Sequence, residues 1–203
     1  PSSEVSFGTG TYSGSDTEEL SFTVSTTELN AIKAHIAMGT TPSDTFLHFA
    51  LGAVRDMARN PIQAGALGAT SVFADTIRPT LVSFSISMDE DAEQITVTFD
   101  ETVDSTSLVI GSISLQQVTD TAAVSHTLTD ANTVDSDGTV LVVTFSKADA
   151  DELKRKEICL TADSCFLALA STTIVDMSRR PLVAVETTAA RQAANLIDDT
   201  TPP

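Results

Sequence analysis

From residue 82 onward the chain alternates between apolar and small polar residues. Val82, Phe84, Ile86 and Met88 are separated by Ser83, Ser85 and Ser87. Ile95, Val97 and Phe99 are separated by Thr96 and Thr98, and Ile113 and Leu115 by Ser114. Leu141, Val143 and Phe145 continue the same rhythm. A strict period of two with Ser and Thr outside predicts half-buried β-strands. Turn chemistry separates these runs at 88–94, 100–106 and 134–139. Further strands are expected at 165–170 and 182–186. One helix is expected after 146, where Ser146 and Asp149 resemble a capping box, and another after 25, where Ser25 and Glu28 repeat the device. Leu29, Ile32 and Ile36 give the earlier helix one apolar face.

The chain repeats itself. The segment 20–25, LSFTVS, matches 141–146, LVVTFS, at an offset of 121. Residues 45–61 match 165–181 at an offset of 120 with seven identities in 17 positions, among them Phe46/Phe166, Asp56/Asp176, Met57/Met177 and Pro61/Pro181. DTIRP at 75–79 then matches DTTPP at 199–203. Self-similarity at a nearly constant spacing predicts tandem copies of one unit. Residues 80–203 hold a whole copy, and residues 1–79 match only its second half. About seven short strands and one short helix in about 120 residues predict an all-β fold: tandem Ig-like β-sandwich repeats with one short helix each. The half copy at 1–79 would expose Leu20, Phe22, Val24, Phe46 and Phe49, so it is expected to be completed by upstream chain or by a partner.

The repeated phrases VRDMARNP (54–61) and IVDMSRRP (174–181) read as a structural turn into the last strand of each unit. Asp56 and Asp176 are expected to accept backbone N–H bonds across the turn. Pro61 and Pro181 mark its exit, and the Met of each phrase is expected to plug the end of the sandwich.

Composition narrows the function. Formal net charge is −17, which repels phosphate backbones and anionic lipid, so neither a nucleic-acid partner nor membrane insertion is expected. Apolar residues make up 41%, aromatics 5%, and no apolar run approaches membrane-spanning length. Ser and Thr together make up roughly a quarter of the chain, which favours strands and turns.

Candidate chemistry is sparse. His35, on the first helix, His48, in a strand, and His126 have no Cys, Ser or Asp at a recognisable catalytic spacing, so no enzyme is expected. GTGTYSG at 8–14 lacks phosphate-loop spacing. Asp75, Asp89, Asp91, Asp198 and Asp199 offer hard oxygen ligands, and the linker acids among them lie where units should meet. Ca²⁺ stiffening such a joint is one reading, and solvated acids in plain turns is the other. No further cofactor is implied. Cys159 and Cys165 replace Met38 and Thr45 of the other copy. Both positions change together, so a local disulfide across 160–164 is expected over two unpaired thiols. Ser and Thr beside Pro, as in TTP at 40–42, are compositional O-glycan candidates.

The order of segments DTIRPTLVSFSISMD, ITVTFDETVDSTSL, TVLVVTFSKADADELK and IVDMSRRP resembles bacterial Ig-like repeats of the S-layer type. It also resembles the related arrays of surface and flagellum-associated proteins, including microalgal flagellar hairs (mastigonemes). The family segment of the form TFSE.V stands here as Thr98 to Val103, and its closing turn D..GN as Asp56 to Asn60, with Arg59 and Arg179 where Gly is usual. The resemblance implies a non-catalytic, extracellular or cell-surface β-sandwich array: a filament, flagellar hair or stalk whose partners are neighbouring repeats or copies of itself. The alternative from another class is a cell-surface adhesin or Ca²⁺-dependent binding module on the same scaffold. A weaker third idea is ice or carbohydrate contact through the Thr and Ser faces.

Overall fold

A computed structural model of the 203-residue chain describes residues 4–8, 11–13, 18–35, 38–89, 93–120, 124–133 and 137–199. The chain divides into two compact units, Pro1–Asp75 and Thr76–Pro203.

The first unit holds two separate hairpins and a helix. Strand β1 (Thr11–Ser13) pairs with β2 (Ser21–Thr23), helix α1 spans Thr26–Lys33, and β3 (Phe46–Phe49) pairs with β4 (Gly65–Gly68). Ser25 and Glu28 form a reciprocal capping box: the Ser25 hydroxyl accepts from the Glu28 backbone N–H, and Glu28 accepts from the Ser25 N–H at 3.0 Å. His35 lies two residues beyond the end of α1 rather than on it, and His48 sits in β3. Leu29 on α1 is 43% exposed, and Ile36 falls outside the described residues. Among the described residues this unit buries no apolar side chain: Phe22 and Phe46 are both 57% exposed.

The second unit is strand-dominated. In chain order it carries β5 (Leu81–Ser87), β6 (Gln94–Val103), β7 (Ile113–Gln116), β8 (Ser125–Thr127), β9 (Ala131–Thr133), β10 (Gly138–Phe145), helix α2 (Lys147–Arg155), β11 (Phe166–Leu169), β12 (Arg191–Gln192) and β13 (Asn195–Ile197). One sheet has the order β13-β5-β6-β10-β9 and the other β12-β11-β7-β8. All pairings are antiparallel except β13 with β5, which is parallel. The inward residues of both sheets form one core: Phe84, Ile86, Ile95, Val97, Leu141 and Val143 from the first, and Ile113, Leu115, Leu167 and Leu169 from the second. Two sheets sharing a core are compatible with a β-sandwich.

Helix α2 is stopped by a left-handed residue. Glu157 has φ +57°, the Ile158 N–H donates to the Leu153 carbonyl at 2.9 Å, and the Glu157 N–H donates to the Lys154 carbonyl at 3.1 Å. This pair of bonds is a Schellman motif, sealed by the fully buried Leu153 and Ile158. A left-handed conformation suits Gly and costs an L-residue about 1 kcal/mol. Glu157→Gly is therefore expected to stabilise the second unit by about 0.5–1 kcal/mol, read as a higher midpoint in urea.

Three expectations are corrected here. Strands β8, β9, β12 and β13 were not anticipated. The stretch 182–186 is not a strand: Leu182 is buried there, and Val185 makes an isolated bridge with Leu169. The last strand of the second unit is therefore β13, so the Asp176 turn does not lead into it.

Candidate functional site

The repeated phrase builds the same turn twice. Asp56 N–H donates to the Asn60 carbonyl at 3.0 Å and Arg59 N–H to the Asp56 carbonyl at 2.9 Å. The second copy matches, with Asp176 N–H to the Arg180 carbonyl at 2.9 Å and Arg179 N–H to the Asp176 carbonyl at 3.0 Å. Arg55 bridges Pro61, as Val175 bridges Pro181. Arg59 and Arg179 sit at φ +69° and +66°, the conformation for which Gly is usual. In each turn the Asp Oδ1 accepts the backbone N–H four residues on, at 2.7 Å in both cases. Neither Met is a buried plug: Met57 is 78% exposed, and Met177 is half-buried.

The two turns differ at the second carboxylate oxygen. Asn60 donates its side-chain amide to Asp56 Oδ2 at 2.9 Å. That bond, followed by the one from the Asn60 backbone, holds the Asp56 carboxyl below its ordinary range. Position 180 is Arg, and Asp176 Oδ2 has no hydrogen-bond donor among the described residues, although Asp176 is fully buried. Its neighbour is a second buried acid. Val103 bridges Asp176, and the Asp104 N–H donates to the Val175 carbonyl at 2.9 Å, so the turn is laced to the end of β6. There Glu101 is only 6% exposed, and carboxylate oxygens of Glu101 and Asp176 lie within 4.8 Å of each other.

Strand β6 explains why an acid points inward. Ile95, Val97, Phe99, Glu101 and Val103 share one parity, and all five are buried. Pairing with β10 jumps from Val140–Thr98 to Gly138–Val103, which leaves Phe99–Thr102 outside that ladder. The bulge redirects this end of the strand towards the Asp176 turn. Arg179 Nη1 lies 2.7 Å from Asp104 Oδ2, and Asp104 Oδ1 accepts from the Thr106 N–H at 3.0 Å.

The acids offered by the sequence as Ca²⁺ ligands stand differently. Asp75, in the first unit, pairs with Lys33 Nζ at 2.6 Å, and Asp199 pairs with Lys154 Nζ at 2.7 Å. Asp198 is exposed, Asp89 is half-buried, and Asp91 falls outside the described residues. Asp89, Asp198 and Asp199 join no group of three metal-capable side chains among the described residues. Cys159 and Cys165 are joined in a disulfide, and both are buried in the core.

Sequence spacing did not disclose a buried hub at Asp149. This carboxylate, 1% exposed, faces His126 Nε2 at 2.7 Å. It accepts from the Thr129 N–H and hydroxyl, from the Asp130 N–H at 3.2 Å and from the Ser146 hydroxyl at 2.9 Å. Burial pushes its carboxyl upward, but the bonds from His126, Asp130, Thr129 and Ser146 together outweigh burial and hold it below the ordinary range. The hub ties the start of α2 to β8 and to the turn at 129–130. Its work is to fix a helix. A shallow, open depression of about 420 Å³ on the second sheet is lined by Ser112, Ser114, Thr127 and Ser171. Small hydroxyl and small apolar residues share its wall, with Glu186 as its single charged residue.

No protein-family model, no curated protein and no solved structure matches the chain.

Proposed function

We propose that this chain is a structural, non-catalytic segment of an extracellular filament, flagellar hair or surface stalk, built from tandem Ig-like units. One contrast carries the reading. Leu20 and Phe22 in the first unit are 40% and 57% exposed, whereas Leu141 and Val143, at the corresponding places of the repeated pattern, are 2% and 0% exposed. A strand pattern written for burial but left open needs a cover. Two-stranded hairpins are at best marginal alone and leave strand edges to pair. Strands contributed by further chain, from the same polypeptide or a neighbouring copy, would bury this surface and join units end to end. The charge of −17 fits the reading, because mutual repulsion discourages lateral clumping while end-to-end contacts remain local.

Electron microscopy of native material should show long regular filaments. The purified chain should associate as its concentration rises in sedimentation runs. Phe22→Asp should abolish that association without moving the unfolding transition of the second unit. A monodisperse 21.3 kDa particle at high concentration, with the amides of the first unit protected from exchange, would overturn the proposal.

A further inference from the structure

We infer that the first unit is an acceptor for a three-stranded segment of the kind formed by residues 81–116, joined in line ahead of Glu4 and added at the open edges of β2 and β3. The inference rests on the tandem-unit reading and names the strands that complete the half copy. It stands on which pairings form. Where both partners lie inside the half copy, the pairing recurs in the register of the second unit. Thr11–Thr23 and Tyr12–Phe22 lie 121 residues before Asn132–Thr144 and Thr133–Val143. Phe46–Gly68 and Leu47–Leu67 match Phe166–Gln192 and Leu167–Arg191, at offsets of 120 for the first partner and 124 for the second.

Where the second unit draws a partner from 81–116, the first unit forms no strand pairing among the described residues. β10 has β6 on its other edge and β11 has β7, but β2 and β3 each pair with one strand. β8 pairs with β7, and its counterpart at 4–6 is not a strand. β13 pairs with β5, and its counterpart at 71–73 is not a strand either, with Phe73 92% exposed. Asp176 bridges Val103 of β6 and is buried, whereas Asp56 is exposed. All of these gaps point to the same three strands. Register sets their chemistry. Leu141 and Val143 pair with Val97 and Ile95, and Leu167 and Leu169 with Leu115 and Ile113. Leu20, Phe22, Leu47 and Phe49 therefore call for strands that alternate branched apolar residues with small polar ones. Each added strand gives main-chain bonds to an open edge and apolar side chains to a bare face.

The test is a chain with a second copy of residues 80–124 placed directly ahead of Glu4, both units being retained. The amides of Ser21–Thr23 and Phe46–Phe49 should exchange at least about 100-fold more slowly than in the parent chain, and urea melts should gain a second cooperative transition. Residues 126–170, an insert of the same length, should do neither. Leu47→Asp in the extended chain should erase the gain and leave the transition of the second unit unmoved. Unchanged exchange in the first unit, equal protection by either insert, a gain that survives Leu47→Asp, or an insoluble extended chain overturns the inference. So does a second copy that protects these amides in the parent chain as fully as the insert does. The filament reading fails separately. Protection gained here with no filaments in native material sinks that reading alone, and filaments without this protection sink only the in-line assignment.

Discussion

Asp149→Ala is expected to cost the second unit about 3–5 kcal/mol, lowering its melting temperature by about 10–20 °C. The carboxylate is buried and serves His126, Thr129, Asp130 and Ser146 at once. Truncation removes at once the acceptor of the Thr129 and Asp130 N–H groups and of the Ser146 hydroxyl, and the partner of His126 Nε2; a hydrogen bond to a charged group contributes about 1.5–3 kcal/mol. Asp149→Asn keeps one acceptor oxygen and should cost less than half as much. The effect carries a pH signature. The folded value of this carboxyl is depressed below its unfolded value near 4, so its contribution is complete above the unfolded value. It is lost as pH falls through the folded value. Acid unfolding of the parent chain should therefore contain a component below about pH 4 that is absent from Asp149→Ala. Urea melts at pH 7 and pH 3 check both points. A Asp149→Ala variant as stable as the parent at pH 7 would refute the role assigned to the hub.

Leu141→Ala is expected to cost about 2–5 kcal/mol, and Leu20→Ala less than about 0.5 kcal/mol, although both residues occupy the same place in the repeated pattern. Leu141 lies in β10 within the shared core, and its removal leaves a cavity between two sheets. Leu20 precedes β2 and stands 40% exposed, so its truncation leaves no cavity. The comparison becomes sharper under association. If neighbouring chain covers the first unit, the cost of Leu20→Ala should climb towards that of Leu141→Ala in assembled material. Equal, small costs for both residues in every state would contradict the burial contrast on which the functional proposal rests.

Much of the second unit was legible because its signals are local. The Ser-separated run 82–88 and the Thr-separated run 95–99 became β5 and β6, and Ser146 opened α2 as its spacing implied. What escaped was non-local. β12 and β13 are two and three residues long, and the chain around them has no period to read. Their pairing with β11 and β5 depends on partners distant in sequence. His126 meets Asp149 only because β8 and α2 pack together, a contact no spacing rule encodes. Glu101 was readable in principle. It falls on the inward parity set by Ile95, Val97 and Phe99, and a charge on the buried face of a strand is a signal in itself. Among the acids offered by the sequence, by contrast, Asp75, Asp198 and Asp199 lie near presumed unit ends, and Asp89 and Asp91 lie in a turn. Two of them, Asp75 and Asp199, have lysine partners.

The parallel pairing of β13 with β5 has a mechanical consequence. The unit's chain enters ahead of Leu81 and leaves after Ile197, and the two strands run side by side in the same direction through Ser85–Asn195, Ile86–Leu196 and Ser87–Ile197. Tension applied to the two ends therefore drags one strand lengthwise along the other. The bonds from Ala194 N–H to Phe84 and from Met88 N–H to Ile197 are loaded together instead of being unzipped in turn. An antiparallel closing strand would peel open one rung at a time under far less force. In this unit the short strand absent from the hydrophobic pattern is the clasp that resists extension.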